Sequence, residues 1–128
     1  MRNFFITRYQ SFGHALRGWW YVMRTQRNAW IHAVASILAL GFAFWLRVPA
    51  HGLAILILTI AMVFTAEFIN TAIEAVVDLA SPEKHPLAKV GKDVGAAAVL
   101  IASLSAILVG LLIIGPALWE KMNSLLGK

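Results

Sequence analysis

Three stretches of this 128-residue chain stay apolar for long enough to cross a lipid bilayer. The first, AWIHAVASILALGFAFWL, runs from Ala29 to Leu46 and holds one titratable side chain, His32. The second begins at Leu53, is uncharged as far as Ala66, and continues with interspersed acids to Ala80. The third, VGAAAVLIASLSAILVGLLII, extends without a charge from Val94 to Ile114. A hydrocarbon core of about 30 Å takes about 20 helical residues to cross. The pattern therefore predicts spans over about 28–47, 52–80 and 87–115. None of the three alternates apolar and polar residues as a barrel strand would. Backbone in lipid is satisfied only within helices or closed barrels. The expected fold is an all-α membrane protein, with residues 1–128 forming a single integral-membrane domain.

The N-terminal segment MRNFFITRYQSFGHALRGWWYVMRTQRN has a different pattern. At helical spacing Phe5, Phe12, Ala15, Leu16, Trp19 and Val22 gather on one side, with Arg2, Arg8, Arg17, Arg24 and Arg27 elsewhere. This predicts an amphipathic helix over about 3–25, lying at the membrane surface. Trp19, Trp20 and Tyr21 suit the headgroup layer. No cleavable leader is expected, because arginines and aromatics run through this whole segment.

Composition agrees with membrane residence: 60% of residues are hydrophobic and 13% charged. With no cysteine, thiolate metal sites and thiol nucleophiles are excluded. The net charge of +5 lies beside apolar spans, which points to anionic headgroups rather than nucleic acid. Lys84, Lys89 and Lys92 in the second link, with the N-terminal arginines, put both segments on the cytoplasmic side by the positive-inside rule. The helix-start glycines and alanines from Gly91 to Ala106 allow close helix packing in lipid.

The second span carries Glu67, Asn70, Glu74 and Asp78 within AEFINTAIEAVVDLA. At about 100° per residue, Asn70, Glu74 and Asp78 fall at about −60°, −20° and +20° from Glu67. They form one polar stripe about 80° wide. Counted from Leu53, the hydrocarbon ends near Ala72, so Glu67 lies inside it and the two outer acids at its rim. A charge deep in a bilayer costs about 2.5–3.5 kcal/mol and calls for a partner, a cation or water. Glu67 at lipid depth suits a general base, and Glu74 a hard cation such as Mg2+. After the turn SPEKHP, Pro86 fits the first turn of the next helix. Lys89, Lys92 and Asp93 then share a side, suited to phosphate and to a metal-bound water. No Gly-rich phosphate loop, GxGxxG or HExxH is present. Acids for a cation, lysine for phosphate and a base at lipid depth suit phosphoryl transfer to a lipid hydroxyl. A proton- or cation-relay built on Glu67 and Glu74 is the alternative from another class.

The run EFINTAIEAVVD…EKHPLAKVGKDVGAAAVLIA strongly resembles the small prokaryotic integral-membrane diacylglycerol kinase family, which includes undecaprenol kinases. The ExxNxAxExxxD pattern is carried by Glu67, Asn70, Ala72, Glu74 and Asp78, and the following KD by Lys92 and Asp93. The similarity extends from SFGHALRGWW to about Ile114. The resemblance implies a homotrimer in the bacterial inner membrane, with sites shared between protomers at the cytoplasmic side. It implies ATP as phosphate donor, with Mg2+, and a lipid alcohol as acceptor. By the same resemblance Glu67 is the base, Glu74 a magnesium ligand and Asn70 its polar support. Lys92, Asp93, Glu83 and His85 lie near the nucleotide, and Ser11 and Phe12 border the lipid site. One position departs from the family pattern: Gln26 stands where a cation-binding glutamate is common. An amide oxygen can ligate magnesium, but without charge. INTAIE and HPLAK look more like the undecaprenol branch than the diacylglycerol branch, and both acceptors remain open.

Overall fold

The computed structural model describes residues 2–127, with side chains from Gln10 onward. Four helices follow in chain order: α1 (Arg2–Thr25), α2 (Arg27–Trp45), α3 (Ala50–Ala80) and α4 (Pro86–Leu125). The helix expected over about 3–25 is present as α1. The side chains of Arg2, Phe5 and Arg8, which enter its expected amphipathic pattern, lie outside the described residues. Helices α2, α3 and α4 are each long and apolar enough to cross a membrane.

Local chemistry sets the boundaries. Gln26 alone leaves the helical conformation between α1 and α2, with φ −100° and ψ 113°. After α2, Arg47 adopts the left-handed region at φ 57°. The amide of Arg47 donates to the Phe44 carbonyl at 3.1 Å and that of Val48 to Ala43 at 2.9 Å. This crossed pair is the Schellman closure, and Val48 packs on Ala43 beneath it. Pro49 then caps α3. At the next turn His85 is the N-cap of α4: its Nδ1 accepts from the Leu87 amide at 3.2 Å, with Pro86 at the first helical position.

The last helix outlasts the apolar run read from the sequence. It passes through Pro116 and ends at Leu125. Proline costs a helix one backbone hydrogen bond, but here packing continues across it. Ala117 joins Ile113, Ile114 and Val109 against Ala43, Val48 and Leu56, and Lys121 lies over the Trp45 ring at 5.5 Å.

Helices α3 and α4 pair most extensively, and α2 lies against α3. The buried apolar residues form two small clusters. Val22, Met23 and Ala29 meet Phe64 and Phe68 where α1 and α2 join. Ala43, Val48 and Leu56 form the other near the first link. The exterior is rich in Leu, Ile, Val, Phe and Trp from α1 to α4. Water would not tolerate so continuous an apolar surface, whereas lipid does.

Candidate functional site

Along α3 the buried face changes character. Leu56 and Val63 occupy it in the first half; Glu67, Asn70 and Thr71 occupy it next. Glu67 is 1% exposed and is the largest fully buried side chain among the described residues. Farther along, Glu74 is half-buried and Asp78 exposed. The stripe expected from helical spacing is thus graded in depth, with its innermost acid enclosed by the protein.

Short hydrogen-bonded links run down this stripe. Asn70 Nδ2 donates to Glu74 Oε1 at 3.2 Å, and Gln26 Nε2 donates to Glu74 Oε2 at 3.4 Å. The single-residue break between α1 and α2 is what brings Gln26 over this carboxylate. Thr71 Oγ1 donates to the Glu67 carbonyl at 2.9 Å, which leaves the Glu67 carboxyl itself uninvolved. Lys92 Nζ donates to Asp78 Oδ1 at 2.5 Å across the α3–α4 turn.

Three buried polar atoms have no partner among the described residues: Glu67 Oε2, Asn70 Oδ1 and His32 Nε2. Leaving a buried polar atom unsatisfied costs about 1–3 kcal/mol, so each of these is a polar group that calls for a partner. Asn70 is also fixed from behind. A methyl group added at Gly95 of α4 would collide with its Oδ1. Only glycine lets α4 come this close to the amide.

Beyond the stripe, the α3–α4 turn borders an open cavity of about 520 Å³. Asp78, Glu83, His85, Lys89, Lys92 and Asp93 contribute to its walls. Cations and carboxylates therefore meet at the end of α3 that carries the acids. Glu83 is exposed, and its carbonyl accepts from Ser81 Oγ at 3.0 Å. His85 reaches the cavity while capping α4. Ser11 and Phe12 are exposed on α1, about 20 Å before Gln26 along the axis.

The expected residues thus divide. Gln26, Asn70 and Glu74 are joined by hydrogen bonds, with Glu67 enclosed one turn away. Glu83, His85, Lys92 and Asp93 gather at the loop cavity, and Asp78 links the two groups through Lys92. Ser11 and Phe12 do not line that cavity. The residue not assigned from the sequence is His32. Its ring meets Phe64, one turn before Glu67 on α3, edge-on at 6.5 Å. It is a single histidine in an apolar run, thirty-five positions before Glu67, and no local spacing connects them.

Among the described residues no three His, Asp or Glu side chains converge into a protein-only cation cage. Mg2+ rarely asks for one. It is commonly held by one or two carboxylates together with substrate phosphates and waters. Glu74 offers lone pairs beyond the two that the amides engage, and Glu67 Oε2 is unpartnered on the same helix. The oxygen-only donor set fits a magnesium ion that arrives with a nucleotide.

The pattern of the prokaryotic diacylglycerol kinase family matches residues 13–114. The chain is 41% identical over 110 residues to the undecaprenol kinase of Bacillus subtilis (strain 168), covering 86% of this chain and 89% of that one. It is 40% identical over 113 residues to a diacylglycerol kinase of Synechocystis sp., covering 88% of this chain and 65% of the longer relative. It is also 41% identical over 95 residues to the diacylglycerol kinase of Escherichia coli (strain K12), covering 69% of this chain and 78% of that one. The match takes in α2, α3, the turn and most of α4, which together carry every residue of the acidic stripe and the loop cavity. On that ground the chain belongs to the prokaryotic diacylglycerol kinase family.

Proposed function

We propose that this protein transfers the γ-phosphate of MgATP to the hydroxyl of a membrane lipid alcohol, at the cytoplasmic face of the bacterial inner membrane. The observation that carries this reading is the buried carboxyl of Glu67, its Oε2 unpartnered, two helical turns from an amide-held Glu74 on the same face of α3. Of the two acceptors, undecaprenol is modestly favoured over diacylglycerol. An undecaprenol kinase matches over 89% of its own length, and diacylglycerol kinases match at similar identity.

In this mechanism the lipid hydroxyl approaches Glu67 from the membrane. Its proton passes to the Glu67 carboxylate as its oxygen bonds to the γ-phosphorus and the bond from phosphorus to the β,γ-bridging oxygen breaks, releasing ADP. Asn70 and Gln26 hold the Glu74 carboxylate in place as a magnesium ligand, with Gln26 close enough to contribute its own amide oxygen. Bound magnesium would neutralise charge on the β- and γ-phosphates. Lys92 and Asp93, with Glu83 and His85 across the cavity, bind the nucleotide's polar end. Asp78 holds Lys92 at the cavity edge between catalytic cycles. Ser11 and Phe12 of α1 border the lipid's path at the interface. A relay carrying protons or cations through the bilayer would need acids along its full thickness, whereas here they gather toward one end of α3.

Purified protein in detergent, incubated with MgATP and each lipid alcohol in turn, tests the reading. Phosphorylated lipid is expected, with a loss of at least about 100-fold in Glu67→Gln and complete loss on chelating magnesium. Equal product from the variant and the parent would end the assignment of Glu67 as the base.

A further inference from the structure

His32 is the one titratable side chain in the apolar body of α2, and the mechanism above gives it no task. Three observations place it beside the base. Its ring lies edge-on to Phe64 at 6.5 Å. Phe64 and Glu67 are three residues apart and so share a face of α3. Its Nε2 is buried and unpartnered, as is Glu67 Oε2. The two orphans are complementary, since a neutral imidazole N–H donates whereas a carboxylate only accepts. The backbone at His32 is itself firmly held, its carbonyl accepting from Ser36 Oγ at 2.7 Å. The other side-chain donors along this stripe are committed, Asn70 and Gln26 to Glu74 and Thr71 to the Glu67 carbonyl, which leaves His32 as the candidate donor.

We propose that His32 is a positioning residue for Glu67: its Nε2–H donates to one carboxylate oxygen and turns the other toward the lipid hydroxyl. The inference rests on the reading of Glu67 as the base. A carboxylate free to rotate in an apolar surround presents its proton-accepting oxygen only part of the time. One fixed donor removes that freedom and compensates the charge without neutralising it. The histidine touches neither substrate nor phosphate and acts only through the acid.

Two substitutions and one spectroscopic measurement test this in the full chain. His32→Leu removes the donor, and His32→Gln keeps one in the form of an amide N–H. His32→Leu is expected to lower kcat about tenfold, an effect of misplacement rather than of lost binding. KM for MgATP and for the lipid alcohol should stay within about twofold, and His32→Gln should recover most of the rate. Equal losses in both variants, or none in His32→Leu, would overturn the proposal. The second readout does not depend on activity. In 15N-histidine-labelled protein, the ring resonances of His32, assigned by their absence in His32→Gln, should move on Glu67→Gln while those of His14, His51 and His85 stay. Unmoved His32 resonances would sink the contact. Should Glu67→Gln keep full activity while its His32 resonances shift, the pairing stands as geometry, but the base reading fails and the positioning role falls with it.

Discussion

Gly95 occupies a point where any side chain would strike the Asn70 amide. Asn70 in turn orients Glu74 through its Nδ2, so a glycine on α4 governs a carboxylate on α3 without touching it. Gly95→Ala must push the amide aside or separate the helices, and overpacking of this kind typically costs about 1–3 kcal/mol. The expected outcome is a lower thermal midpoint in detergent and a several-fold weaker dependence of rate on magnesium. An unchanged magnesium response would show that Glu74 does not need Asn70. At this scale the sequence discloses unevenly. Glu67, Asn70, Glu74 and Asp78 can be read directly, because helical periodicity converts spacing into a shared face. Gly95 reads only as one member of a small-residue run. His32 reads as an isolated titratable group, because its significance lies in a contact between helices that no local pattern encodes.

Helix boundaries set which side chains reach the site. The break between α1 and α2 is one residue long, and that residue is Gln26. Being out of the helix, its side chain reaches back to Glu74 across forty-eight positions of sequence. Gln26→Glu would set two carboxylates side by side. Without magnesium they repel, so the thermal midpoint should fall, and added magnesium should restore it. The magnesium concentration for half-maximal rate should drop several-fold, and an unaltered value would remove Gln26 from the cation site. The start of α4 follows from Pro86, so that boundary was legible, whereas α3 begins at Ala50, ahead of the expected 52. The end of α4 was not legible. A drop in hydropathy after Ile114 followed by Pro116 reads as a stop, but side chains on both sides of the proline pack on α2 and α3 and carry the helix to Leu125. Tertiary packing overrode a local breaker.

Across the whole molecule, the three apolar helices and the amphipathic first helix follow from hydropathy alone, and all four are present. The pairing of the site's two halves does not. Lys92 is engaged by Asp78 at the outer end of the stripe rather than by Glu74, and Glu67 keeps a free oxygen. We propose that a second protomer completes the arrangement, as a homotrimer with shared sites would. Co-expressing two inactive variants, Glu67→Gln and Lys92→Ala, should then return a fraction of the parental rate, because some mixed assemblies contain one site with both native residues. The particle mass should be three times the 14.0 kDa chain. No recovery from the mixture would confine the site to one protomer.

The thin interior has a consequence for how this protein tolerates change. Its innermost apolar positions are mostly small or of medium size, Ala29, Ala43 and Ala102 among them, while most of its leucines and isoleucines, the buried Leu56 apart, point outward. The usual map of mutational sensitivity is thereby turned inside out. Swapping one large aliphatic for another on the periphery merely exchanges neighbours for the acyl chains. Enlarging an alanine at the centre forces two helices apart, and with them the amide and acids they hold in register.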